Sequence, residues 1–200
     1  MAPLPASGVQ DVPLLRTKLY IPPSRPTQVP RPRLVERLDA AVRLKLTLVS
    51  APAGFGKTTL LSEWVHGASA GGKTPRRGES TPPLQFAWLS LDEGDNDLAR
   101  FLTYLIAALQ AALHAAAQHE EPLLGKGMLS ALQTSQPPPT EAVLTALINE
   151  LALLPDPIVL ILDDYHLIHT SPSSAPIHDA LTFFLRRLPP QVHLVLATRE

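Results

Sequence analysis

The stretch that most constrains the fold of this chain is residues 45–66, KLTLVSAPAGFGKTTLLSEWVH. A short apolar run leads into a glycine-bearing loop, and apolar residues at helical spacing follow the loop. In a phosphate loop, a strand delivers the chain to a turn whose backbone N–H groups surround phosphate oxygens. The next helix then directs its positive N-terminus at the same anion. Residues 51–59 therefore predict a phosphate-binding loop inside a strand–loop–helix unit.

A second stretch, GASAGGKT at residues 67–74, matches the pattern G-x-x-x-x-G-K-[ST] letter for letter, whereas APAGFGKT has Ala51 at its first position. The order of elements favours the imperfect match. Residues 67–74 follow a helix, which we expect Gly67 to end, and the prolines and glycine in PRRGESTPP prevent another helix from following. Alanine can replace the first glycine if its φ is negative. We therefore expect a surface loop at 67–74.

The chemistry of such a loop assigns a role to several side chains. Lys57 is expected to neutralise the β- and γ-phosphates, Thr58 to bind Mg²⁺, and Thr59 to lie near the α-phosphate. The cofactors would be ATP or ADP with Mg²⁺. The residues expected to bind the nucleotide here are Ala53, Gly54, Phe55, Gly56, Lys57, Thr58 and Thr59.

Acidic and basic residues at two other strand ends complete a hydrolytic site. IVLILDD at 158–164 is an apolar run that ends in two acids, where ligands gather in parallel sheets. We predict that Asp163 binds the metal and that Asp164 polarises the attacking water; an ordinary Asp turn is the alternative. LATRE at the C-terminal end places Arg199 where its guanidinium can pair with a γ-phosphate, unless it is a solvated surface arginine.

Strand-like runs alternate with helical patterns along the chain, which predicts an α/β fold with helices on both faces of a mostly parallel sheet. We expect residues 1–12 to be disordered, 13–43 to form an extended strap and a short helix, and 44–200 to form the core. The predicted strands are 45–50, 84–91, 158–164 and 192–198, and the predicted helices are 33–43, 58–66, 98–118, 140–154 and 175–188.

The overall composition excludes several classes of function. A length of 200 residues suits one domain, and a net charge of −1 does not favour nucleic-acid or membrane-surface binding by this segment. The absence of cysteine excludes disulfides and thiolate metal sites and suits a reducing cytoplasm. No apolar run looks long enough to span a membrane, and the first twenty residues lack the order of a signal peptide.

Several stretches taken together resemble the N-terminal nucleotide-binding domain of MalT-like, LuxR-type transcription regulators, within the signal-transduction ATPases with numerous domains (STAND). They are TKLYIPPSRPTQVPRPRLVERL, LTLVSAPAGFGKTTLLSEW, FAWLSLDEGDNDLARFLTYLIAAL, LILDDYHLI and LATRE. The resemblance covers roughly residues 14–200 and is more specific than a lone Walker motif. It implies a P-loop NTPase of the AAA+/STAND kind, a three-layer α/β/α fold. In that family the loop usually opens with a small residue, as Ala51 does here.

The resemblance also implies a regulated switch, closed with ADP and open with ATP plus an inducer, which then self-associates and activates transcription. It suggests that Val29, Pro30 and Arg31 line the adenine pocket, although the strap they belong to could serve packing alone. WLSLDEGDND is a hallmark of the family. Its Asp92 and Asp95 could reach the nucleotide region or could cap a helix.

The resemblance leaves the sensor repeats and the helix-turn-helix of the family outside residues 1–200, so inducer and DNA contacts would come from regions absent from this chain. We expect the core to be incomplete at its C-terminal end, because ATPases of this class place a fifth strand beside the strand of the loop. Two other functions stay open: a stand-alone ATPase or small-molecule kinase, and a scaffold that keeps nucleotide as a structural ligand without turnover.

Overall fold

Four parallel strands form the centre of the computed structural model, which describes residues 14–24, 28–69, 84–116, 124–168 and 175–199. Residues 1–12, predicted to be disordered, lie outside the described ranges. The strands are β1 (Leu46–Ser50), β2 (Gln85–Ser90), β3 (Ile158–Asp163) and β4 (Val192–Thr198). The helices are α1 (Pro32–Ala41), α2 (Lys57–Ser69), α3 (Leu98–Ala116), α4 (Met128–Leu132), α5 (Thr140–Leu151) and α6 (Ala175–Arg187).

The strand order is β1-β4-β3-β2, and every neighbouring pair is parallel. β3 is buried along its whole length, as its unbroken apolar sequence predicts. In the register of the sheet, Ser50 at the end of β1 pairs with Thr198 of β4, and Asp163 of β3 pairs with Ser90 of β2. The carboxyl ends of all four strands therefore lie at one edge of the sheet, where the predicted phosphate loop begins.

Helices cover both faces of the sheet, so the three-layer α/β/α prediction is confirmed. Alternate residues of β3 point to opposite faces. Val159 and Ile161 pack with α1 and α2, whereas Leu160 and Leu162 pack with α3, α5 and α6. The larger core lies on the α3 side, where the long helix contributes five large, fully buried side chains: Phe101, Leu102, Leu105, Ile106 and Leu109.

The length of α3 corrects one expectation. Residues Leu98–Ala115 are apolar and long enough to cross a membrane by length and composition, although no such run was expected. The helix packs its apolar face against β2 and the core, and half of that stretch is buried inside the protein. This is the arrangement of a core helix.

Other elements also differ from the prediction. The connection at 119–139 contains the short helix α4, and the strap contains a 3₁₀ turn at Arg16–Leu19. Gly67 does not end α2, which continues to Ser69. The reason is that glycine lowers helix stability without preventing the next residue from staying helical. Residues 70–74 of the competing GASAGGKT match lie outside the described ranges.

A buried ion pair fastens the strap to the acidic turn after β2. The ammonium of Lys18 bonds the carboxylates of Asp95 and, at 3.1 Å, Asp92, and it lies 4.4 Å from the ring centroid of Tyr104. Arg100 Nε donates to the other oxygen of Asp95 at 3.2 Å. Asp92 and Asp95 also form a capping box on the 3₁₀ turn at Glu93–Asn96. Of the two roles left open by the sequence, capping is the one seen, at the strand farthest from β1.

Substitution of Lys18 by methionine should lower the free energy of unfolding by about 3 kcal/mol, because Asp95 would lose one of its two cations while fully buried. Urea unfolding measures the loss. Lys45→Met is a matched control, since the Lys45 ammonium is exposed and, among the described residues, donates to the carbonyl of Arg186. A loss below about 1 kcal/mol, the range of surface pairs, would contradict a structural role for the ion pair.

β1 is an edge strand of the described sheet, as the sequence led us to expect for a four-strand core. It pairs with β4 on one side, and its side chains alternate between exposed and half-buried. Leu48 is 60% exposed and Leu44 is 62% exposed. The strap runs along α2 instead, where Ser62 Oγ donates to the carbonyl of Pro22. An open strand edge flanked by exposed leucines favours pairing with another chain.

Replacing Leu48 by lysine should therefore reduce concentration-dependent association of this chain, because a charged edge strand resists strand pairing. Light scattering over a concentration series measures the effect. Leu153→Lys serves as the control, since Leu153 is 84% exposed but lies outside β1, in the turn after α5. Equal effects of the two substitutions would show that general surface charge, and not the β1 edge, governs association.

Candidate nucleotide-binding site

The loop between β1 and α2 has the backbone geometry of a phosphate cradle. Gly54 and Gly56 have φ values of 81° and 75°, in the left-handed region that glycine tolerates. Ala51 follows β1 directly and donates its N–H to the carbonyl of Thr198, so the loop begins beside the end of β4. The φ of Ala51 is not positive, which is the condition under which alanine was expected to replace the first glycine.

Lys57 is the first residue of α2, and its side chain is only 9% exposed. Its ammonium donates to the carbonyls of Ala51 at 2.6 Å and Pro52 at 3.1 Å. These two carbonyls open the loop, so the charge is held across the turn that would surround the phosphates. A cation in this position fits an anionic ligand, whose oxygens can replace the carbonyls as its partners.

Thr58 and Asp163 meet across the site. The Thr58 hydroxyl donates to Asp163 Oδ2 at 2.8 Å, although β4 lies between β1 and β3 in the sheet. Asp163 is 2% exposed. Burial raises the pKa of Asp163 above its ordinary value and nearby Asp164 adds to this, whereas the hydrogen bond from Thr58 and the charge of Lys57 oppose it.

This donor set fits a Mg²⁺ ion that takes its remaining ligands from phosphates and water. Mg²⁺ is usually held by one or two carboxylates together with substrate oxygens. In the parts of the chain that the structure describes, no group of three or more His, Asp or Glu side chains could hold a metal by itself. Thr58 and Asp163 would thus hold the ion, which would supply charge neutralisation between the phosphates when bound.

Asp164 has a strained backbone. Its φ of 57° and ψ of 35° put a non-glycine residue in the left-handed region. Its N–H donates to Asp163 Oδ1 at 3.0 Å, its carboxylate lies 3.8 Å from His166 Nδ1, and its side chain is 41% exposed. Strain of this kind costs roughly 1–3 kcal/mol and occurs often at functional sites. This conformation turns the chain sharply after β3, so Asp163 is buried while the neighbouring Asp164 is partly exposed.

Arg199 follows the end of β4 and is exposed. Thr198 next to it pairs in register with Ser50, so this arginine leaves the sheet beside the start of the phosphate loop. The structure thus brings Lys57, Thr58, Asp163 and the backbone of Arg199 to one edge of the sheet. Thr59, the last residue of the predicted loop, lies half-buried in the first turn of α2.

The strap segment that precedes α1 lies against the other side of the loop. Arg31 Nη1 donates to the carbonyls of Phe55 at 3.0 Å and Gly56 at 3.4 Å. A Cβ added to Gly56 would lie 3.0 Å from Arg31 Nη2, so the guanidinium would have to shift slightly, and the φ of 75° favours glycine there in any case. Val29 and Pro30 are exposed, and Phe55 is 64% exposed.

A cavity of about 530 Å³ lies between α1, β1 and the loop, with Arg31, Arg37, Phe55 and Lys57 among its lining residues. Its size and mixed apolar and cationic lining are typical of a small-molecule site.

Sequence reasoning missed one residue that shapes this region, Glu63 of α2. Its carboxylate accepts hydrogen bonds from the Arg31 N–H at 3.1 Å and from Gln28 Nε2 at 2.7 Å. A lone glutamate on a helix has no local pattern that reveals such a partner.

Comparison with protein families finds that the NACHT domain matches residues 45–200. The HTH-type transcriptional regulator MalT of Cronobacter sakazakii (strain ATCC BAA-894) is 39% identical over 187 residues, which are 94% of this chain and 18% of that regulator. The chain thus spans less than a fifth of the length of this relative. The family resemblance drawn from the sequence is confirmed.

Among solved structures, the Walker-type ATPase PABY2304 of Pyrococcus abyssi aligns with a TM-score of 0.54 and 15% identity, over 88% of this chain and 47% of that one. This likeness confirms the fold. The ORC1 protein of Aeropyrum pernix, solved in complex with DNA, aligns with a TM-score of 0.44 and 18% identity, over 90% of this chain and 41% of that one.

Proposed function

Because this chain belongs to the NACHT-domain family, we propose that it is the nucleotide-binding part of a regulatory switch that exchanges ADP for ATP and hydrolyses ATP slowly with Mg²⁺. The observation that carries the proposal is the hydrogen bond between Thr58 and Asp163. It joins the helix after the phosphate loop to the buried acid at the end of β3, and these two side chains offer oxygen atoms that would hold Mg²⁺.

Each side chain then has a definite task. Lys57 exchanges its two carbonyl partners for β- and γ-phosphate oxygens, and Thr58 and Asp163 hold the metal ion. Asp164 orients and polarises the attacking water from its turned position after β3. Arg199 pairs with the γ-phosphate and reports its presence, because a guanidinium forms paired hydrogen bonds with phosphate oxygens.

The base of the nucleotide would lie in the cavity beside α1, against the segment Val29, Pro30 and Arg31. The cavity has the volume of a small-molecule site, and it adjoins the loop at Phe55 and Lys57. Arg31 already contacts the loop backbone through its guanidinium. A base bound here would contact the strap and the loop at once and would help to hold the two together.

The other partners belong to the whole protein. As in a MalT-like regulator, we propose that an inducer and DNA bind through regions outside residues 1–200, that the ATP state self-associates, and that the protein acts in the cytoplasm. This chain itself carries a net charge of −1 and supplies little of the basic surface on which DNA affinity depends.

Calorimetry, turnover assays and a low-salt gel shift test the proposal together. We expect ADP and ATP to bind weakly, in the micromolar range or above, turnover to be slow, and no DNA to shift. Turnover accelerated by a phosphate-acceptor molecule would instead identify a kinase. ADP that stays bound with no turnover would favour the scaffold, and absence of nucleotide binding would contradict the proposal altogether.

A further inference from the structure

The Glu63 carboxylate joins α2 to the strap at two points. Oε2 accepts a hydrogen bond from Gln28 Nε2 at 2.7 Å, and Oε1 accepts one from the backbone N–H of Arg31 at 3.1 Å. The two donors flank Val29 and Pro30. One side chain therefore clamps both ends of the segment that we place against the base.

Hydrogen bonds, and not apolar burial, hold this segment. Val29 is 77% exposed and Pro30 is exposed as well, so the segment gains little from the hydrophobic effect. Arg31 is the residue that precedes α1, and its own side chain does not cap that helix. A carboxylate bound to the Arg31 N–H lies at the positive end of α1, where a negative charge is favoured. Bonds to an ionised carboxylate are also stronger than neutral ones.

The clamp is rigidly connected to the phosphate loop. Glu63 lies six residues after Lys57 on the same helix, about 9 Å along its axis at 1.5 Å per residue. Arg31 connects the strap directly to the loop, because its guanidinium donates to the carbonyls of Phe55 and Gly56. The loop, α2 and the strap thus form a closed set of contacts that includes Glu63.

We infer that Glu63 is a positioning residue for the nucleobase: it holds Val29, Pro30 and Arg31 in the place where they contact the base, without touching the nucleotide. The inference rests on the proposed function. Loss of the clamp should release the segment at Val29 and Pro30 and leave Lys57 and Thr58 in place. Affinity that depends on the base should fall, and affinity that depends on the phosphates should stay.

The experiment compares two ligands by calorimetry: ADP, which has a base, and inorganic tripolyphosphate, which has none. We expect Glu63→Ala to lower the affinity for ADP about tenfold, because both hydrogen bonds from the strap to the carboxylate are lost, and to leave the affinity for tripolyphosphate within twofold. Glu36→Ala is the matched control, because it removes the same charge from an exposed position on α1 and should change neither affinity.

Glu63→Gln provides a second variant that keeps the shape of the side chain. Its amide oxygen can still accept from the Arg31 N–H. Its amide N–H₂ can pair with Gln28 once that side chain turns over, since Gln28 Oε1 is buried and has no hydrogen-bond partner in the described part of the chain. We therefore expect Glu63→Gln to recover most of the ADP affinity, which a purely electrostatic role of the carboxylate would not allow.

Three outcomes would overturn the inference. Equal losses of ADP and tripolyphosphate affinity in Glu63→Ala would mean that the residue supports the whole loop. Unchanged ADP affinity would mean that the clamp has no bearing on the base. Failure of the wild-type chain to bind either ligand would remove the proposed function itself. If the wild type binds both ligands and Glu63→Ala leaves the ratio of the ADP affinity to the tripolyphosphate affinity unchanged, only the role of Glu63 is removed.

Discussion

Lys57→Ala is expected to abolish measurable nucleotide binding, with a loss of affinity of about 100-fold or more. Lys57 supplies the one ammonium that the structure places across the loop, held by the carbonyls of Ala51 and Pro52. Its replacement removes charge-assisted hydrogen bonds to the phosphates, each worth about 1.5–3 kcal/mol, and about 1.4 kcal/mol corresponds to a factor of ten. Titration with a fluorescent ADP analogue measures the effect.

The competing sequence match supplies the control for this prediction. Lys73→Ala alters the lysine of GASAGGKT and should leave ADP affinity unchanged, because that stretch follows a helix and not a strand. Thermal unfolding adds an independent readout: ADP should raise the melting temperature of the wild type and of Lys73→Ala, but not that of Lys57→Ala. Equal losses in the two variants would contradict the assignment of the site to residues 51–59.

Asp164→Asn should bind ATP with nearly normal affinity and lose turnover by about 100-fold, the lower end of the usual contribution of general acid–base groups. Asparagine is the informative replacement. It tolerates the left-handed backbone of residue 164 as well as aspartate does, so the fold after β3 should be preserved while the charge is removed. Single-turnover kinetics with ATP separates binding from hydrolysis.

Asp163→Asn should have the opposite profile. Its side chain is buried and accepts the hydrogen bond of Thr58, so its charge should matter for holding Mg²⁺. We expect the enhancement of ATP affinity by Mg²⁺ to disappear, while binding of ADP without metal stays within a few fold. Unchanged turnover in Asp164→Asn, or unchanged Mg²⁺ dependence in Asp163→Asn, would remove the respective residue from the mechanism.

The sequence by itself determined the elements that depend on local order. Glycines beside a lysine and a threonine, between an apolar strand and a helix, define the loop, and the apolar run before Asp163 defines a buried parallel strand. The strand boundaries agree with the structure within one residue at each end, because alternation and turn residues act over a few positions. The short α4 was missed, since five helical residues between turns give too little periodicity to detect.

Tertiary structure decided how distant residues meet. The sequence predicted that Thr58 and Asp163 bind the same metal ion, but the direct hydrogen bond between these residues, 105 positions apart, and the strand order that permits it, with β4 between β1 and β3, leave no trace in local spacing. The same holds for Lys18 with Asp95, 77 positions apart, and for Glu63 with the strap. A charged side chain looks the same in sequence whether it is solvated or buried against a partner. The difference arises only when the packed sheet removes water from both groups and makes an unpaired charge costly.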